Sequence, residues 1–83
     1  MTIRRVTPIG LKCTIVDRAR RKYVGRVAVE TEHMLLLVTD TGELKSFPKE
    51  AVTLILNNRR IKGSTLVGGP WKRLKKGGMI VID

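Results

Sequence analysis

The sequence predicts an all-β domain closed into a small antiparallel barrel of five to seven strands. Three observations carry that expectation. Apolar residues recur at every second position through much of the chain, and turn-forming residues interrupt them at short intervals. Eighty-three residues are also too few to build two independent cores. Closure is expected because a small open sheet exposes edges on which other chains can pair.

The alternation begins at Leu11. Leu11, Cys13 and Ile15 take turns with Lys12 and Thr14, giving a half-buried strand that ends at Val16-Asp17. Arg18 to Lys22 is a basic connector. Tyr23 to Glu30 forms the next strand, with Val24, Val27 and Val29 apolar and Gly25 marking a bend or bulge. Met34 to Thr39 is a more continuous apolar run, predicted as a central strand buried on both faces.

Asp40-Thr41-Gly42-Glu43 is a hairpin loop in which Gly42 supplies the left-handed position. Leu44 to Phe47 returns as a strand and stops at Pro48, which has no N–H for a ladder. Val52 to Leu56 follows, then a tight Asn57-Asn58 turn, then a strand over Arg59 to Lys62 that Gly63-Ser64 closes. Pro70 can start one helical turn at Gly69-Pro70-Trp71, ended by Gly77-Gly78. Met79 to Ile82 reads as an edge strand or a tail. The organisation is therefore an N-terminal tail (residues 1–10), a barrel (11–76) and a C-terminal strand or tail (77–83), with both ends short and basic at the barrel's margins.

Charge gives the first indication of function. Seventeen Lys and Arg against seven Asp and Glu leave a net charge of +10. Such self-repulsion opposes compaction and suits a polyanionic partner that releases counterions on binding. A membrane surface fits less well, because it calls for a basic amphipathic helix that this chain lacks the pattern for. No apolar run approaches a spanning length, so a cytoplasmic protein with no membrane partner is expected. Cys13 and His33 are single, which excludes an internal disulfide and leaves no zinc ligand set; Cys13 reads as a small core residue.

Three basic clusters frame the predicted barrel. They are Arg4-Arg5; Arg18, Arg20, Arg21 and Lys22 continuing to Arg26; and Arg59, Arg60 and Lys62 with Lys72, Arg73, Lys75 and Lys76. Only Lys45 and Lys49 of the seventeen cations lie between Val27 and Ile55, where they stand against Glu30, Glu32, Asp40, Glu43 and Glu50. One positive side and one neutral side follow. Tyr23, Phe47 and Trp71 are the only aromatics, and the core is expected to use at least one. Many cations with few stacking rings suit the backbone and shape of folded RNA.

Catalytic patterns are not visible. Asp17 and Asp40 sit at turns, where carboxylates are usually turn formers. Ser46 and Ser64 lack a His-based relay beyond the single His33, which is expected to be exposed. Gly68-Gly69 beside Lys72 lacks the spacing of a phosphate-cradling loop.

The order of segments resembles a known family. Gly10-Leu11-Lys12, the run to Asp17, and Tyr23-Val24-Gly25 are similar to the opening of archaeal ribonuclease P protein component 1, the homologue of the 29-kilodalton subunit of the eukaryotic enzyme. Gly25-Arg26-Val27 through Glu30-Thr31 to Met34-Leu35-Leu36 resembles that family's glycine, Glu-Thr and apolar strand. Leu44-Lys45 and Phe47-Pro48-Lys49 look like its Pro-Lys turn. Gly63-Ser64, Leu66-Val67-Gly68 and Pro70, followed by Lys72, Arg73, Lys75 and Lys76, resemble its C-terminal signature. The likeness runs from Ile9 to Lys76; it departs at Gly69, where the family often carries Arg, and at Trp71-Lys72, where acidic residues often follow the proline.

The resemblance implies an Sm-like (SH3-like) barrel and a non-catalytic subunit that stabilises the ribonuclease P RNA for 5′-leader removal from precursor tRNA. The RNA would carry the magnesium-dependent chemistry, with no cofactor in this chain. A zinc-ribbon protein subunit would be the direct protein partner, docked on the N-terminal segment and an adjacent barrel edge, and precursor tRNA an indirect one. Alone, the chain would be monomeric. Resemblance and chemistry together nominate Lys12, Arg18, Arg20, Arg21, Lys22, Arg26, Lys62, Ser64, Lys72, Arg73, Lys75 and Lys76 as RNA-facing. Gly25, Gly42 and Gly63 read as backbone devices. Two rivals share the pattern: a small basic barrel of the ribosome, and an Sm-type ring protein assembled through barrel edges.

Overall fold

A computed structural model describes residues 3–5, 7–69 and 80–82. Its strands are β1 (Ile3–Arg5), β2 (Lys12–Val16), β3 (Lys22–Glu30), β4 (Met34–Thr39), β5 (Leu44–Pro48), β6 (Thr53–Leu56), β7 (Arg59–Lys62) and β8 (Ile80–Ile82). Short 3-10 turns cover Lys49–Ala51 and Gly63–Leu66. β2 to β7 lie within a residue of the spans expected from period two. The helical turn expected near Trp71 lies outside the described residues.

Six strands form one antiparallel sheet in the order β5-β4-β3-β2-β6-β7, and β1 pairs with β8 in a separate ladder. The N-terminal segment thus contributes a strand, with Ile3 opposite Ile82 and Arg5 opposite Ile80.

The six-stranded sheet is open rather than the closed barrel expected, because no ladder joins β5 to β7. The chain chemistry at those edges accounts for the gap. β5 ends at Pro48, which has no N–H to donate, and both edges run directly into 3-10 turns. These turns meet instead: the Gly63 N–H donates to Val52 O at 2.9 Å, and Lys49 Nζ donates to Leu66 O at 2.8 Å.

The inner face is apolar. Cys13, Ile15, Val27, Leu35, Leu37, Phe47, Val52, Leu54, Leu56 and Leu66 form the buried cluster, with Leu11, Tyr23 and Ile61 packed against it. Each fully buried aliphatic chain contributes about 1.5–3 kcal/mol. Tyr23 and Phe47 stack at a tilt with centroids 5.0 Å apart, so two of the three aromatics belong to the packing. β4 alternates rather than being buried on both faces: Leu35 and Leu37 are sealed, whereas Val38 is 40% exposed.

The bulge falls between Val27 and Val29, not at Gly25. Val27 opposes Leu37 and Val29 opposes Leu36, so Ala28 is the extra residue. Beyond it the faces exchange: Val29 becomes 44% exposed, and Glu30 turns inward with its side chain at 0% exposure. Gly25 has a different task. A Cβ there would collide with the Val38 carbonyl, so glycine lets β3 and β4 approach; Gly63 likewise faces the Lys49 carbonyl. Gly42 takes the left-handed position of the β4–β5 loop at φ +87°.

Candidate nucleic-acid interface

The connector between β2 and β3 is organised by one carboxylate. Asp17 Oδ1 accepts from the Arg21 N–H at 2.9 Å, and Asp17 Oδ2 accepts from the Tyr23 hydroxyl at 3.4 Å. The Arg20 N–H adds a bond to Asp17 O at 3.0 Å. The turn closes tightly enough to force Arg20 to φ 63°, a conformation that costs a side chain with a Cβ. Arg18, Arg20 and Arg21 are all left exposed.

Strand register aligns the remaining cations. Val16 of β2 opposes Lys22 of β3 on one side and Thr53 of β6 on the other, and Thr53 opposes Lys62 of β7. Lys22 and Lys62 therefore share one row across four strands. Thr14 opposes Val24 and Ile55, and Ile55 opposes Arg60, making a second row. Lys12 opposes Arg26 in a third. All these positions lie on the face opposite Cys13, Ile15 and Leu54, so five cations project from one side of β3-β2-β6-β7.

Two shallow depressions mark this face. Arg20, Lys22 and Arg60 surround one, with Val16 and Ile55 lining it. Arg18, Arg60, Lys62 and Ser64 border its neighbour, which also includes Asp17 and Glu50. At the far end, Lys12 lies 3.8 Å from Asp40 with both side chains well exposed, a weak pairing in water. Arg26 Nη1 donates to Gly10 O at 3.1 Å.

Of the nominated residues, the structure thus gathers Arg18, Arg20, Lys22, Lys62 and Ser64 at the paired depressions. Lys12 and Arg26 stand further along the same face, and Arg21 is exposed in the connector. Lys72, Arg73, Lys75 and Lys76 lie outside the described residues. Arg60 is absent from the residues expected to face RNA, yet it borders both depressions. The two-residue Asn57-Asn58 turn was the available signal. With φ 48° and 65°, it sets Leu56 opposite Arg59 and Ile55 opposite Arg60.

Lys49 behaves unlike the other described cations. Its Nζ lies 2.6 Å from Glu30 Oε2, and both side chains are 0% exposed. Glu30 Oε1 accepts from Thr7 Oγ1 at 2.7 Å, while the Lys49 backbone N–H donates to His33 O at 2.7 Å. The Glu-Thr, Pro-Lys and Gly-Ser-x-Leu motifs thereby converge through Glu30, Lys49, Gly63 and Leu66. Those motifs hold the fold together; the outward cations come from other positions. Cys13, the one thiol, is buried, and burial pushes its pKa up to about 11, so it stays protonated at neutral pH.

Among the described residues, no cluster of three or more His, Cys, Asp or Glu could hold a metal ion, and no helix is long and apolar enough to cross a membrane. Fold and surface define a small antiparallel β-sheet module that carries a cationic face. Residues 2–76 match the family described as Ribonuclease P/MRP, subunit p29, and the chain belongs to that family. It is accordingly a protein subunit of a ribonucleoprotein endoribonuclease of tRNA processing, associated with RNA and other protein components. No curated protein matches the chain in direct sequence comparison.

Proposed function

We propose that this subunit binds the RNA of ribonuclease P through its outer sheet face and stabilises the folded RNA, while the RNA performs magnesium-dependent 5′-leader removal from precursor tRNA. The observation that carries the reading is the alignment of Lys12, Lys22, Arg26, Arg60 and Lys62 on one face of adjacent strands. No Asp or Glu occupies the outward positions of those strands between Lys12 and Val16, Lys22 and Arg26, Thr53 and Ile55, or Arg60 and Lys62. Such a face offsets phosphate repulsion and lets RNA helices approach one another with fewer bound magnesium ions.

In this reading the chain catalyses nothing alone and carries no cofactor. Arg18, Arg20 and Arg21 extend the face at the connector, and Ser64 adds a hydroxyl beside Lys62. Lys72, Arg73, Lys75 and Lys76 would add further phosphate contacts. A zinc-ribbon subunit is the protein partner, on the N-terminal segment and a neighbouring sheet edge, where main-chain pairing is available. Precursor tRNA is contacted indirectly, and the site of action is the cytoplasm.

A precursor-tRNA cleavage assay across a magnesium series tests this, using the cognate RNA with and without this protein and the zinc-ribbon subunit. The pair should lower the magnesium requirement, and reversing the charge of Lys22, Arg60 and Lys62 together should remove the effect. Unchanged cleavage with the wild-type pair would overturn the reading. So would magnesium-dependent cleavage by this purified protein alone.

A further inference from the structure

The outer face is not uniformly charged. Between the cationic rows lie Val16 and Ile55, diagonal neighbours on β2 and β6, both only half-buried. Lys22 stands across from Val16 and Arg60 across from Ile55. Three strand spacings and one row separate those two cations, roughly 16 Å at the backbone. Arg20, carried in by the strained connector, closes the rim. The depression therefore has an apolar floor and cationic walls, and among the described residues no carboxylate lines it.

Duplex backbone alone has no use for an apolar floor, since phosphate contacts are satisfied by Lys and Arg. A ligand that matches both surfaces must present a flat apolar face and an attached anion. An unpaired nucleotide does so, because its base has a π-face that desolvates readily and its phosphates lie within one ribose of it. Arg can both pair with phosphate and lie flat against a base.

We infer that this depression is a subsite for one unstacked nucleotide of the bound RNA, with its base over Val16 and Ile55 and its flanking phosphates on Arg20, Lys22 and Arg60. The inference rests on the reading of the chain as an RNA-binding subunit. It adds that the subunit recognises a bulged or looped residue as well as helical backbone.

The experiment follows the methyl groups of Val16 and Ile55 by NMR while adenosine or uridine monophosphate, and separately inorganic phosphate, is titrated into the full chain. The nucleotides should shift both methyls, and phosphate alone should leave them in place. In parallel, Val16→Thr with Ile55→Thr, conservative changes on β-branched outward positions, should weaken binding of the cognate RNA about threefold or more. The slope of log affinity against log salt should stay constant, whereas Arg60→Gln should reduce it by nearly one.

Methyls unmoved by nucleotides, together with unchanged RNA affinity of the double variant, would overturn the subsite while leaving the RNA-binding reading intact. Absence of any binding of the cognate RNA to the wild-type chain would instead remove the reading beneath it. Methyls that respond only to the protein partner would assign the floor to a protein contact and likewise end the proposal.

Discussion

Lys49 and Glu30 form an ion pair at 2.6 Å with neither side chain exposed to solvent. The pair is chained to three other segments through Thr7, His33 and the Leu66 carbonyl. Charges so buried persist only when their remaining hydrogen-bonding capacity is met, and then removing one partner strands the other.

Replacing Lys49 by Met should therefore cost about 3–5 kcal/mol, because Glu30 would keep a buried carboxylate that has lost its counter-charge. A domain of this size has a total stability of about 4–12 kcal/mol, so the single variant should be largely unfolded or close to it. Glu30→Gln combined with Lys49→Met should recover much of that loss. Urea denaturation of the two variants checks this; equal stabilities of Lys49→Met and wild type would show that the pair contributes nothing.

Gly25 is filled on its open side by backbone, since a Cβ would meet the Val38 carbonyl and Thr39 Cα. Gly25→Ala should force β3 and β4 apart and destabilise by about 2 kcal/mol or more. Amide exchange should quicken along β4. A thermal midpoint within a degree of wild type would show that the strands part without cost.

Arg20 separates stability from affinity. Its φ of 63° suits Asn better than Arg, so Arg20→Asn should stabilise the fold by up to about 1 kcal/mol. The same change should weaken RNA binding, because a cation leaves the rim of the depression. Denaturation and filter-binding measured on one preparation test both signs at once. Tighter RNA binding by the variant would contradict the placement of Arg20 at the interface.

Cys13 predicts a pH dependence. Burial raises its pKa from 9.0 to about 11, so the folded state holds the thiol proton after the unfolded chain has lost it. Between those values the unfolded state binds fewer protons, and stability falls as pH rises from about 9 to about 11. The two-unit shift corresponds to roughly 2.7 kcal/mol at most. Cys13→Ala should show a shallower loss than wild type over that window, measured as the difference between the two proteins so that lysine and tyrosine titration cancels. Parallel curves would mean that the thiol loses its proton equally readily in both states.

Much of the fold was legible because its causes are local. Alternation in Leu11 to Ile15, a positive-φ pair at Asn57-Asn58 and the halt at Pro48 each act through neighbouring residues. The basic connector from Arg18 to Lys22 was likewise visible, and exposure follows from its length and charge. Lys49 reads in the sequence as part of the central hairpin and of the Pro-Lys turn, and nothing nearby announces its burial.

The sequence by itself determined the strand composition, the turns, the place of Cys13 in the core and the basic excess, all properties of short windows. Tertiary structure alone decided that Ala28 is an extra residue, which rotates Glu30 from the solvent face to the interior beside Lys49. It also decided that Lys22, Arg60 and Lys62 share one face, and that the sheet stays open between β5 and β7. The reason is physical. Side-chain direction in a strand flips with a single residue of register, and register is set by pairing between segments far apart in the chain.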